Sequence, residues 1–159
     1  MRVPKALGLL TAVVLVGALA AECRPHPLGP ARTFAGYERK ARTTAESALA
    51  QVETVRLVVR AADRGNAFAS YVGQVVGDAE DALGGLQGTF GSIQPPAGER
   101  AEELRDTLGQ LLGDAGDHVA DVRIEARRGV ARGLGSLEAA AALEGDSEAL
   151  QQFLQEHGG

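Results

Sequence analysis

With one cysteine, one methionine, three histidines and no tryptophan in 159 residues, this chain has few of the groups that perform covalent or metal chemistry. The lone Cys23 forms no internal disulfide, so a folded body must be held by its apolar core. His26, His118 and His157 are dispersed along the chain, and no Ser-His-Asp or Cys-His arrangement follows from them. Glu-x-x-His, which aims two ligands at one metal from a helix face, is absent, and so is Cys-x-x-Cys-His. Gly84-Gly85 and Gly133-Leu134-Gly135 lack the following Lys-Ser/Thr and the preceding strand of a phosphate loop. No stretch alternates apolar and polar residues over five or more positions between turn signals, so no strands are expected. No cofactor is implied by these residues, and enzymatic function is not expected.

The residues that are present begin with an export pattern. Arg2, Lys5 and the amino terminus precede sixteen uncharged residues, Ala6 to Ala21, and a positive start joined to an apolar run carries the rest of a chain across the membrane. As a helix the run reaches about 24 Å, short of a hydrocarbon core of ~30 Å but within the tolerance of a thinned bilayer. Three fates stay open. Signal peptidase has a small-x-small site at Ala18-Leu19-Ala20, or the run stays uncleaved as an anchor bounded by Arg24. Alternatively, the segment resembles a bacterial lipobox with Cys23 as the lipidated residue, although Glu22 stands where that pattern has a small neutral one. All three place residues beyond 23 outside the cytoplasm, anchored to the cell membrane through the apolar segment or secreted.

Residues 24–33, RPHPLGPART, hold three prolines and a glycine and read as an extended spacer of roughly 30 Å. His26 sits among those prolines as a solvated linker residue. Residues 34–159 form the body. Without Arg2, Lys5 and Glu22 the chain has 14 basic and 20 acidic residues, a net charge of −6, which disfavours nucleic acid and anionic lipid headgroups as partners of the body.

In the body the apolar period is helical. Phe34, Tyr37, Ala41, Ala45, Ala48, Val52, Val55, Val59 and Ala62 recur at steps of three and four before Gly65. A second stripe, with Asn66 as its cap, takes Phe68, Val72, Val75, Ala79, Ala82, Leu86, Phe90 and Ile93 to Pro95-Pro96. A third runs Ala101, Leu104, Leu108, Leu111, Ala115, Val119, Val122 and Ala126, acidic at its start and basic at Arg127-Arg128, as the helix dipole favours. The fourth, from Ala131 to His157, keeps phase at Leu134, Leu137 and Ala141, is interrupted at Glu144-Gly145-Asp146-Ser147, and resumes at Leu150, Phe153 and Leu154. Short links force antiparallel neighbours, so an all-α, up-down-up-down four-helix bundle is expected.

The signal run, the PHPLGPARTF entry and the SIQPP turn together resemble the small exported helical bundles of high-GC bacteria. The likeness implies a membrane-anchored, secreted or lipoprotein-like bundle. Anchor, stand-off and bundle are also similar to a bacterial receptor's sensing domain, but the sequence shows no second apolar run and no signalling domain.

The densest polar cluster is Asp114, Asp117, His118 and Asp121. The three aspartates fall within about 60° of one another and some 130° from the apolar stripe, with Asp78 and Asp81 expected at a similar height on the preceding helix. These are weak candidates for a divalent cation; acidic residues on the outer face of a helix are usually just solvated, which is the plainer reading. Arg123, Arg127, Arg128 and Arg132 crowd one helix end, either as dipole partners or as an anion site. Gly73, Gly77, Gly84, Gly88 and Gly91 form a stripe opposite the core, either a surface for close helix packing or an exposed consequence of GC-rich coding. The expectation is a non-enzymatic interaction or structural module at the cell envelope, its protein partner and oligomeric state unknown. The alternative is a carrier of a small molecule or cation in a bundle cavity or at the acidic edge.

Overall fold

The computed structural model describes residues 31–128 and 138–158. Four helices make an all-α bundle: α1, Phe34–Asp63; α2, Ala69–Gly91; α3, Glu99–Arg127; and α4, Glu138–Glu156. Cross-links between them set the directions. Tyr37 of α1 stacks on Phe90 near the end of α2, with ring centres 5.5 Å apart. Arg123 near the end of α3 pairs with Glu80 of α2. His118 of α3 meets Asp146 of α4, and Arg56 of α1 meets Glu144 of α4. Each helix therefore runs antiparallel to the next. α1 and α3 also approach each other across the diagonal, whereas among the described residues the α2 and α4 backbones do not come close.

Local signals explain the helix ends. The Thr33 hydroxyl accepts the Gly36 amide at 3.2 Å and opens α1. Gly65, at φ 75°, closes it: the Gly65 amide bonds the Ala62 carbonyl and the Asn66 amide that of Ala61, each at 2.8 Å. Asn66 does not cap α2, because α2 begins only at Ala69, two residues past the position that Asn66 could cap. Phe68 takes the capping position with no side-chain bond. Gly98, at φ 132°, sits where an L side chain would be strained and leads into α3, whose first turn carries Glu99 and Glu102 and whose last carries Arg127.

The core follows the expected stripe almost residue for residue in α1, with Val58 added and Phe34 partly exposed, and in α3, where Leu112 replaces Leu111 as the buried residue. In α2 the face is turned. Val76 and Leu83 are buried where Val75 and Ala82 were expected, and Phe68 points into solvent. Both readings satisfy a three-four spacing, and the bulkier Leu83 wins the interior because it removes more apolar area from water than Ala82. The fourth segment does not break. α4 runs unbroken through Glu144–Ser147, with Leu143, Leu150 and Phe153 buried and Ala141 exposed. Leu134 and Leu137 lie outside the described residues.

Candidate functional site

The four-residue spacing from Leu143 to Ser147 puts the Ser147 side chain on the interior face of α4, where it is the buried polar residue in an otherwise aliphatic and aromatic core, only 1% exposed. Its hydroxyl donates to Glu53 Oε1 of α1 at 2.6 Å and accepts from Gln151 Nε2 at 3.1 Å. Arg56 pairs with Glu53 and reaches Glu144 Oε1 at 3.0 Å. The Ser147 hydroxyl, ahead of Arg56, holds the Glu53 carboxyl below its usual range. The chain thereby buries a hydroxyl beside a charge and satisfies both, which makes a seam between α1 and α4. Sequence reasoning read this tetrapeptide as an interruption. The signal that locates it is the 143-147-150-154 spacing, which holds once a serine is admitted to the core face.

On the other flank of α4, His118 Nδ1 lies 2.8 Å from Asp146 Oδ2. Burial raises the Asp146 pKa, opposed by the His118 contact and reinforced by Asp114. His118, Asp121, Glu138 and Ala142 line an open notch at this edge. Asp114, Asp117 and Asp121 are exposed, and the partner of His118 is on α4 and not on α2. Asp78 accepts a bond from Gln74 of its own helix, at 2.8 Å. Among the described residues no three acidic, histidine or cysteine side chains stand close enough to hold a metal ion. His157 is not frayed: its Nδ1 is 3.1 Å from Glu38 Oε1 and its ring packs on Phe153 at 4.5 Å.

The arginine group divides in the same way. Arg123 is held by Glu80, and Arg128 by Glu125 of the preceding turn. Arg127 is exposed at the end of α3, and Arg132 lies outside the described residues. The glycine stripe of α2 meets open space at Gly73, Gly84, Gly88 and Gly91, and a Cβ on Gly77 would only graze Arg123 Cδ at 4.0 Å. Near its lower end, a cleft of about 320 Å³ between α2 and α3 is lined by Gln87, Phe90, Gly91, Arg105, Asp106, Gly109 and Leu112. Tyr37 lies beneath it. Its hydroxyl is buried with no hydrogen-bond partner, and desolvation raises its pKa.

The apolar groups left in solvent are Phe68, 83% exposed, Leu57, 61%, Tyr71, 59%, and Ile124, 42%. Phe68 and Tyr71 straddle the entry to α2, Leu57 is two turns from the end of α1, and Ile124 is one turn from the end of α3. All four belong to the end of the bundle opposite residue 31, where the N-terminal segment joins. The sequence pattern counted Phe68 into the core, because spacing alone does not show that α2 begins only at Ala69.

No protein-family model, curated protein or solved structure matches the chain. No helix among the described residues is long and apolar enough to cross a membrane. The Ala6–Ala21 run and Cys23 lie outside the described residues.

Proposed function

We propose that this protein is a non-enzymatic interaction or structural module at the outer side of the cell membrane, carried there by its N-terminal segment. The observation that carries the reading is the solvent-exposed pair Phe68 and Tyr71 at the end of the bundle farthest from that segment. Large aromatics left in water on a small body are characteristic of contact surfaces. The polar groups of the α4 seams, in contrast, are bonded to one another and not aimed at a shared open site.

Two measurements test it. A photo-crosslinking residue replacing Phe68 in the full chain, in intact envelopes, should give an adduct that the same residue at exposed Gln110 does not; no adduct, or equal adducts, would remove the reading. Intact mass of the extracted chain, beside Cys23→Ser, separates a retained anchor, cleavage near Ala21, and acylation beginning at Cys23. The Glu22 side chain makes acylation the least favoured. A mass lacking the N-terminal segment, with acyl chains that vanish in Cys23→Ser, would make this a lipoprotein.

A second reading, a small-molecule carrier, draws on the α2–α3 cleft and the orphan Tyr37 hydroxyl beneath it. A ligand there should raise the melting temperature of the parent chain and leave that of Tyr37→Phe unchanged.

A further inference from the structure

The net charge of the body conceals a division along its length. In residues 60–71, 122–128 and 138–141, the described turns at the Phe68 end, five arginines face three carboxylates; the other described residues carry seven basic and seventeen acidic side chains. At this end Arg123 and Arg128 are neutralised by Glu80 and Glu125, and Asp63 is engaged in a contact of its own. Arg60, Arg64 and Arg127 are exposed and make no ion pair among the described residues. Arg64 and Arg127 thus share this end of the bundle with two exposed aromatic rings, with Arg60 one turn further in, where its charge also acts on Glu53. Neither the α2–α3 cleft nor the His118 notch includes Phe68 or Tyr71.

We infer that this tip docks on an anionic phospholipid surface, resting on the reading of Phe68 and Tyr71 as the contact site. The chemistry matches in each component. Tyr partitions to the headgroup boundary, where its apolar ring and its hydroxyl are both accommodated, and the wholly apolar Phe ring enters the acyl boundary beneath it. Guanidinium groups bind phosphate oxygens in pairs and are drawn to a negative leaflet. A fluid bilayer moulds itself around projecting rings, whereas a folded partner would need a matching socket. The acidic remainder does not forbid the approach: α1 is about 45 Å long, and charges beyond about 8 Å are screened at physiological ionic strength. End-on docking therefore presents the arginine-bearing end, with residue 31 at the far end.

The absence of tryptophan from the chain supplies the test. Phe68→Trp in the full-length chain is a single reporter at the tip, and Gln110→Trp is its control on the side of α3. Each is first reconstituted in neutral phosphatidylcholine vesicles, which take up the N-terminal segment, and phosphatidylglycerol vesicles are then added. Emission at position 68 should shift to the blue, the shift should reverse in high salt, and position 110 should not respond. Added phosphatidylcholine vesicles should give no shift. In the Phe68→Trp background, Arg64→Gln with Arg127→Gln should weaken binding by about thirty-fold; if circular dichroism shows lost helix, Arg60→Gln with Arg127→Gln takes their place. No shift with phosphatidylglycerol, an equal shift with phosphatidylcholine, or an equal response at position 110 overturns the proposal. If vesicles fail but the cross-link from position 68 reaches a protein, the partner is polypeptide and the contact-site reading survives. Failure of both removes that reading as well.

Discussion

α2 and α4 stand at opposite corners of the bundle, each packed on the α1–α3 diagonal, yet they are fastened differently. α2 is held by Val72, Val76, Ala79, Leu83 and Phe90, with Glu80 as its ion pair across to α3. Its outer side includes Gly84, Gly85, Gly88 and Gly91, where an added Cβ would meet open space. α4 has fewer buried anchors in Leu143, Leu150 and Phe153, and cross-links on both flanks through Asp146, Ser147, Glu144 and the neighbouring His157. An apolar attachment depends on volume and is indifferent to pH. A polar one depends on geometry and protonation. The same architecture therefore has one corner that responds to cavities and one that responds to acid and base.

The largest effect should come from the volume-dependent corner. Leu83→Ala is expected to cost about 2 to 5 kcal/mol in urea unfolding, and Leu86→Ala, which is partly exposed, distinctly less. Equal losses would mean that the face of α2 is not turned as described. On α4, Ser147→Ala removes a hydrogen bond to a partly exposed carboxylate and should cost about 1 kcal/mol, with the helical content of the chain retained. A loss as large as that of Leu83→Ala would show α4 to depend on its polar seam more than on Leu143, Leu150 and Phe153.

Glycine replacement should act in the opposite direction. Gly84→Ala and Gly88→Ala place a methyl group in open space on a helix and should each stabilise by about 0.5 to 1 kcal/mol. A lower melting temperature would mean that something packs on that face.

The smallest effect, and the sharpest contrast, is in pH. Glu53 has its pKa depressed, so its contribution is present above the unfolded-state value and is lost as pH falls through the folded one. Asp146 is shifted upward, so its contribution is present below the ordinary carboxylate value and is lost as pH rises through its folded value. Stability measured across the acid range should flatten on its low side in Glu53→Gln and lose its decline on the high side in Asp146→Asn. Leu83→Ala should shift the whole curve down without changing its shape.

The two corners also differ in how legible they are in the sequence. The α1 and α3 stripes are readable because their apolar residues are dense and regular, so that only one face of each helix could be buried. α2 is ambiguous because Val75-Val76 and Ala82-Leu83 offer apolar residues on two adjoining faces; the choice needed the neighbouring helices. Gly65 announces its stop through the left-handed backbone it supplies. Asn66 misleads, since a capping residue type does not fix the first turn of the helix, which here begins two residues later than a cap at Asn66 would need. The acidic cluster is located correctly along the chain, but the expected neighbours of its histidine lie on the wrong helix: Asp146 is 28 residues from His118 and on the far side of the α3–α4 turn.

The amino-acid sequence by itself determined the helical class, the approximate helix order and most of the core, because periodicity in apolar residues is a local property that each helix carries alone. Tertiary structure decided which polar residues meet, since Glu53 and Ser147 are 94 positions apart and Glu38 and His157 are 119 apart, and no local pattern encodes such distances. It also decided where the charge and the exposed rings gather. Arg60, Arg64, Phe68, Tyr71 and Arg127 are spread over three stretches of an acidic chain, and antiparallel packing brings them to one end.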